Sequence, residues 1–251
     1  MTTAIMPRCE PYSFAGGPFG VLVLHGFTGN PVSMRPLAEA CAKAGFTVEV
    51  PRLPGHGTSV EDLMTTGWAD WSATALASFD DLAAKCSKVA VVGLSMGGGL
   101  TALIAESRPD VAGCVFINPW IKPLNPELLD GLEQFIAAGV VSYDSVGSDI
   151  KKENTSESAY EATPLAQVKS ACDGLTVVRE HLGQITAPSL LITSRIDHTV
   201  NWERGEDITE SSSGPVEQIW LEDSYHVATL DNDAALVESS TVAFLRRVFG
   251  S

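Results

Sequence analysis

No CxxC pair and no cluster of cysteine with histidine occurs in this 251-residue chain. Its five cysteines, Cys9, Cys41, Cys86, Cys114 and Cys172, are scattered and odd in number. That pattern argues against a disulfide frame and a zinc site, and suits reduced thiols in a cytoplasmic protein. Basic charge is scarce as well: 16 Lys and Arg stand against 31 Asp and Glu, for a net charge of −15. Nucleic-acid binding, or anionic-membrane binding through a basic surface, is thereby disfavoured. No apolar run approaches the ~20 residues of a membrane span. The start, MTTAIMPRCEPYSF, lacks the apolar core of a secretory signal, and neither repeats nor low-complexity tracts occur. With 45% hydrophobic residues, the chain holds enough apolar material for one substantial core and an insertion.

Strand-like and helix-like segments alternate. FGVLVLHG, FTVEVPRL, KVAVVGL and AGCVFINP read as buried strands. NPVSMRPLAEACAKAG, WADWSATALASFDDLAAKC and GGGLTALIAESRP read as helices between them. This rhythm predicts an α/β protein with a mostly parallel sheet covered by helices on both faces. It breaks after Asn118 and returns with PSLLITS, VEQIWLE and a closing amphipathic helix, DAALVESSTVAFLRRVF. The expected organisation is a core of residues 1–119 and 183–251 with a mainly helical cap inserted at 120–182.

GLSMGG, residues 93–98, joins the strand KVAVV to the helix LTALIAESRP. A strand-to-helix turn this tight strains its central residue, and side chains at the flanking Gly93 and Gly97 would collide with it. Ser95 Oγ is thereby lifted into a cleft, and the Met96 N–H falls at a helix N-terminus, where negative charge is favoured. This G-x-S-x-G arrangement in its strand–helix context marks Ser95 as a nucleophile.

A serine hydroxyl needs a base, and the base an orienting acid. In this framework they follow in the order Ser, Asp or Glu, His. His25 and His56 precede the serine, and His181 ends the cap. His226, in LEDSYHVATLD between the last strand and the closing helix, is the expected base. Asp197, in the loop after PSLLITS, is the expected acid. Asp223 is its rival but sits only three residues from His226, and His198 directly adjoins Asp197. The second oxyanion donor is expected in the loop HGFTGN, as the Phe27 N–H beside that of Met96. His25 reads as a staple of that loop.

LHGFTGNPVSMRPLAE, PRLPGHGT, WADW, GLSMGG, RIDHTV and SYHVATLD, in that order, resemble the bacterial carboxylesterase and monoacylglycerol lipase group of the α/β-hydrolase fold. The cap is much less similar. The resemblance implies Ser95, Asp197 and His226 as triad and the Phe27 and Met96 N–H groups as oxyanion hole. It implies no metal or organic cofactor, and small ester or monoacylglycerol substrates with short to medium acyl chains. HGF in place of an HGGG loop implies esters of primary and secondary alcohols. Perhydrolysis, C–C cleavage, amide hydrolysis and noncatalytic ligand binding stay open. Leu128, Leu132, Phe135 and Ile136 of the cap are expected to line an acyl pocket, touch lipid aggregates transiently, or pack on the core. Activity is expected to rise with pH near the histidine's ordinary value of ~6.5.

Overall fold

The computed structural model describes residues 4–145 and 147–250; Met1–Thr3, Val146 and Ser251 lie outside them. Described residues form a sheet of seven strands: β1 (Tyr12–Phe14), β2 (Phe19–Leu24), β3 (Thr47–Val50), β4 (Lys88–Leu94), β5 (Val111–Ile117), β8 (Ser189–Ser194) and β9 (Val216–Leu221). Their order is β1-β3-β2-β4-β5-β8-β9. Every pairing is parallel except the edge pair β1–β3.

Alternation along the strands builds two apolar layers. Val21 and Val23 of β2 and Val92 of β4 bury against α1 (Pro31–Lys43) and α8 (Ala234–Phe249) through Met34, Leu37 and Phe244. Leu22, Leu24 and Val91 face the other way, into a layer with α3 (Trp68–Ala83), α4 (Met96–Ser107) and α6 (Leu165–His181). Strands buried on both faces need continuous aliphatic runs, which explains KVAVV and GVLVL. At the start of α1, Asn30 Oδ1 accepts the Val32 N–H at 3.0 Å and Pro31 occupies the first turn.

The short pieces have weaker signals. They are β1, α2 (Val60–Leu63), α7 (Glu203–Ser211) and the hairpin of β6 (Ser142–Asp144) with β7 (Ala162–Pro164). Within residues 120–182, α5 (Pro126–Ala137) packs against α6, and β7 packs against α2 and α6. The α6 face of Val168, Ala171, Leu175 and Val178 enters the same core layer as α3 and α4. Among the described residues no helix is long and apolar enough to cross a membrane.

β3 lies on one side of β2 and β4 on the other, so the strand order reverses there. A crevice opens at the carboxyl ends of strands flanking such a reversal. Leu24 pairs with Gly93, which puts the HGFTGN loop and the GLSMGG turn side by side at that crevice.

Candidate active site

Ser95 sits between β4 and α4 with φ +55° and ψ −120°. A non-glycine residue held there costs about 1–3 kcal/mol and must be fixed by its surroundings. Backbone hydrogen bonds do this. The Ser95 N–H donates to Ile117 O at 3.0 Å, and its carbonyl accepts from Gly98 at 2.8 Å and Trp120 at 2.9 Å. A Cβ on Gly93 would strike the Gly97 carbonyl, and one on Gly97 the Leu24 carbonyl. The flanking glycines are therefore demanded by backbone packing within the turn and against β2.

Asp197 and His226 meet across the ends of β8 and β9. His226 Nδ1 lies 2.7 Å from Asp197 Oδ2. The other carboxylate oxygen accepts the Thr199 N–H at 2.9 Å and the Val200 N–H at 2.7 Å. An ionised carboxylate only accepts, so Nδ1 carries the proton and Nε2 keeps its lone pair. Ser95 and His226 line one cavity of about 210 Å³, together with Phe27, Trp120, Leu124, Tyr143, Glu157 and Val168 among others. Among the described residues the His226 ring bonds Asp197 and makes no direct hydrogen bond to Ser95 Oγ. Bonds of this kind commonly tighten only in the substrate complex.

Burial works to lower the His226 pKa, but the charge and hydrogen bond of Asp197 and the charges of Glu157 and Asp149 outweigh it, and the net shift is upward. Burial also pushes the Glu157 carboxyl up to about 7, against the opposing pull of His226.

The Phe27 N–H has no backbone acceptor among the described residues, and the Met96 N–H is the first of α4, where no intrahelical partner exists. His25 staples the loop before Phe27. Its Nδ1 bonds Gly26 O at 2.9 Å and its Nε2 accepts the Leu53 N–H at 3.1 Å. Burial drives its pKa down to about 4, so it is neutral at working pH. His56 is equally buried, bonded to Pro54 O at 3.0 Å. Of the rivals, Asp223 pairs with Lys151, His198 with Asp149, and His181 with the Val177 carbonyl in α6.

Three residues around the site carry no motif. Asn118, with φ +40°, follows β5. Its Nδ2 donates to Ser194 Oγ at 2.9 Å and His226 O at 2.8 Å, while its Oδ1 accepts the Ser194 N–H at 2.7 Å. It thus ties β8 to the histidine loop. Asp149 and Glu157 come from the segment between β6 and β7, where local pattern gives no periodicity to read. Their only signal is an acidic residue in a polar stretch.

The chain matches the model of the alpha/beta hydrolase family over residues 21–239 and belongs to that family. It is 39% identical over 254 residues to a thermostable monoacylglycerol lipase of Bacillus sp. (strain H-257), covering 98% of each chain. It is 30% identical over 246 residues to a carboxylesterase of Bacillus subtilis (strain 168), covering 95% of this chain and 97% of that one. A solved structure from work on the metagenome-derived lipolytic enzymes LipS and LipT superposes with a TM-score of 0.92 at 40% identity, covering 97% of this chain and all of the other.

Proposed function

We propose that the protein is a serine hydrolase of carboxylic esters that works through an acyl-enzyme and takes monoacylglycerols among its substrates. The observation that carries this reading is the convergence on one cavity of a strained, glycine-flanked Ser95 and a His226 whose Nδ1 is held by Asp197. The names of its full-length relatives, a monoacylglycerol lipase and a carboxylesterase, support the same chemistry.

His226 Nε2 takes the Ser95 hydroxyl proton as Oγ bonds to the ester carbonyl carbon. The carbonyl oxygen becomes an anion facing the Phe27 and Met96 N–H groups. As the intermediate collapses, the C–O bond breaks and His226 returns its proton to the leaving alcohol oxygen. A water then gives its proton to His226, its oxygen attacks the acyl-enzyme, and the carboxylic acid leaves as Ser95 regains its proton.

The cavity has Glu157, Thr28, Ser145 and Thr199 on its wall beside Leu124 and Val168, a lining suited to an ester with one polar and one apolar end. Residues 120–164, with α5 and the β6–β7 hairpin, act as its roof, and α6 serves the core layer. Leu128, Phe135, Val140, Val141 and Tyr143 of that roof are exposed, and support brief contact with lipid aggregates. Five free cysteines fit a cytoplasmic setting.

Ser95→Ala tests the reading. It is expected to remove ester turnover and labelling by a fluorophosphonate while leaving the Tm close to that of the unaltered protein. Wild-type turnover in the folded variant would overturn the assignment. An unaltered protein that binds an activated ester without an acyl-enzyme burst would favour a ligand-binding role.

A further inference from the structure

Two buried carboxylates tie the roof to the loop that carries His226. Asp231, fully buried, accepts the Lys151 and Tyr225 N–H groups on one carboxylate oxygen, each at 2.8 Å. The other oxygen accepts Lys152 and Asn232, also at 2.8 Å. This anchors residues 151–152 on Asp231, which follows His226 and also holds the backbone of Tyr225 just before it.

Asp149 makes the second tie, and it reaches further. Its Oδ2 accepts the backbone N–H of His198 at 3.0 Å and that of His226 at 3.2 Å. Its Oδ1 bonds His198 Nδ1 at 2.8 Å, and its carbonyl accepts the Val227 N–H at 3.1 Å. Its side chain is only 8% exposed. The two N–H groups on Oδ2 belong to the residue after Asp197 and to His226 itself. A single oxygen thus spans the acid's loop and the base's loop, which lie 29 positions apart in sequence.

We propose that Asp149 is a positioning residue for the reaction: a carboxylate supplied by the roof that sets the spacing of the Asp197 and His226 loops and so aims the imidazole at Ser95. This rests on the reading of Ser95, Asp197 and His226 as the triad. Hydrogen bonds from N–H to a carboxylate are about twice as strong as neutral ones, and losing the acceptor leaves both donors unpaired. The roof then has a second task beyond covering the cleft, since the segment that closes over the substrate also holds the base.

The charges around this point are few. Asp197, Glu157 and Asp149 face His226. His198 pairs with Asp149, and the nearby Lys151 ammonium is drawn away to Asp223. Replacing Asp149 by asparagine removes one of three anions from the imidazole but keeps an oxygen able to accept both N–H groups. Replacing it by alanine removes both the charge and the clasp.

The experiment compares full-length D149A, D149N and S95A with the unaltered protein on a p-nitrophenyl ester, measuring kcat, KM, Tm and kcat/KM against pH. D149A is expected to lose about 10- to 100-fold in kcat with KM nearly unchanged, as misplaced catalytic groups do. D149N is expected to regain most of that loss on the alkaline plateau, with its acid limb moved to lower pH. A folded D149A with kcat within about twofold of wild type would overturn the proposal, since misplacement should cost far more. If D149A does not fold, Asp149→Glu decides instead: its carboxylate, set one methylene further out, is expected to displace the two loops and lower kcat by about tenfold, and a kcat within about twofold of wild type would overturn the proposal. S95A separates the two claims. An active S95A sinks the triad and this proposal with it, whereas an inert S95A beside a wild-type-like D149A sinks only the role of Asp149.

Discussion

Gly26 leaves no room for a side chain beside Ser95: a Cβ built on Gly26 would stand 3.2 Å from Ser95 Cβ and 3.7 Å from Ser95 Oγ. The loop bearing the Phe27 N–H therefore lies directly against the nucleophile. Gly26→Ala forces one of them to yield by a few tenths of an ångström. Pushing the Phe27 N–H off the oxyanion is expected to lower kcat by about 10- to 100-fold, short of the 100- to 1000-fold that follows complete loss of such a donor. KM should change little, because the bond matters most when charge develops. Steady-state kinetics on a simple ester checks this; an unchanged kcat would mean that the loop's donor is not used.

The acid limb of kcat/KM reports proton loss from His226, because only the neutral ring can accept the Ser95 proton. Its pKa is raised on balance, so half-maximal activity is expected above the ordinary ~6.5. Glu157 contributes to that rise, and its own carboxyl titrates at about 7. As it ionises it makes the imidazolium harder to discharge. Glu157→Gln is expected to move the limb to lower pH by about half a unit or more. A limb that stays in place would show that the Glu157 charge does not reach the ring.

The framework was legible because strand and helix periods, and the order Ser95, Asp197, His226, depend on local pattern. Gly93 and Gly97 announce the elbow since only glycine fits beside the Gly97 and Leu24 carbonyls. Asn118, Asp149 and Asp231 were not legible. Their roles arise from hydrogen bonds to residues 76 to 108 positions away for Asn118, 49 and 77 for Asp149, and up to 80 for Asp231. A lone Asn or Asp in a loop announces nothing about such partners. The surroundings of His226 were not legible for the same reason: two of the three carboxylates that raise its pKa come from the segment between β6 and β7. The division inside 120–182 was also invisible, because α6 has the apolar stripe of any packed helix and only its partners show which layer it joins.

Glu106 on α4 offers a test of stability away from the cleft. Burial pushes its carboxyl up to about 7, and its Oε2 has no hydrogen-bond partner among the described residues. The folded form holds this proton more tightly than the unfolded chain, whose carboxyl titrates at about 4.3. Its contribution to stability is therefore present below that pH and is lost as pH rises through about 7. Glu106→Gln, neutral throughout, is expected to raise Tm by about 2–4 °C at pH 8 and to leave it nearly unchanged at pH 4. Equal effects at both pH values would show that ionisation of Glu106 is not the cause.

Chain-length preference is expected to follow from a second hollow beside the first. Leu124, Leu128, Leu132, Phe135 and Val140 line an apolar groove of about 360 Å³. It shares Leu124, Tyr143 and Val168 with the cavity of Ser95. An acyl chain bonded at Ser95 that outgrows the inner cavity has this groove as its apolar continuation, and each methylene placed there is worth about 0.8 kcal/mol. Leu124 is half-buried at the junction, so Leu124→Trp narrows the passage without opening a hole in the core. The variant is expected to keep kcat/KM for an acetate ester within about twofold and to lose about tenfold or more for a dodecanoate ester, in line with the discrimination a hydrophobic pocket gains from a few methylenes. Ile136 lies outside this groove, on a neighbouring hollow with Met64 and Val141, so Ile136→Ala is expected to leave the ratio of the two rates unchanged. A parallel loss for both esters in Leu124→Trp would place the chain elsewhere and reduce the groove to a surface feature of the roof.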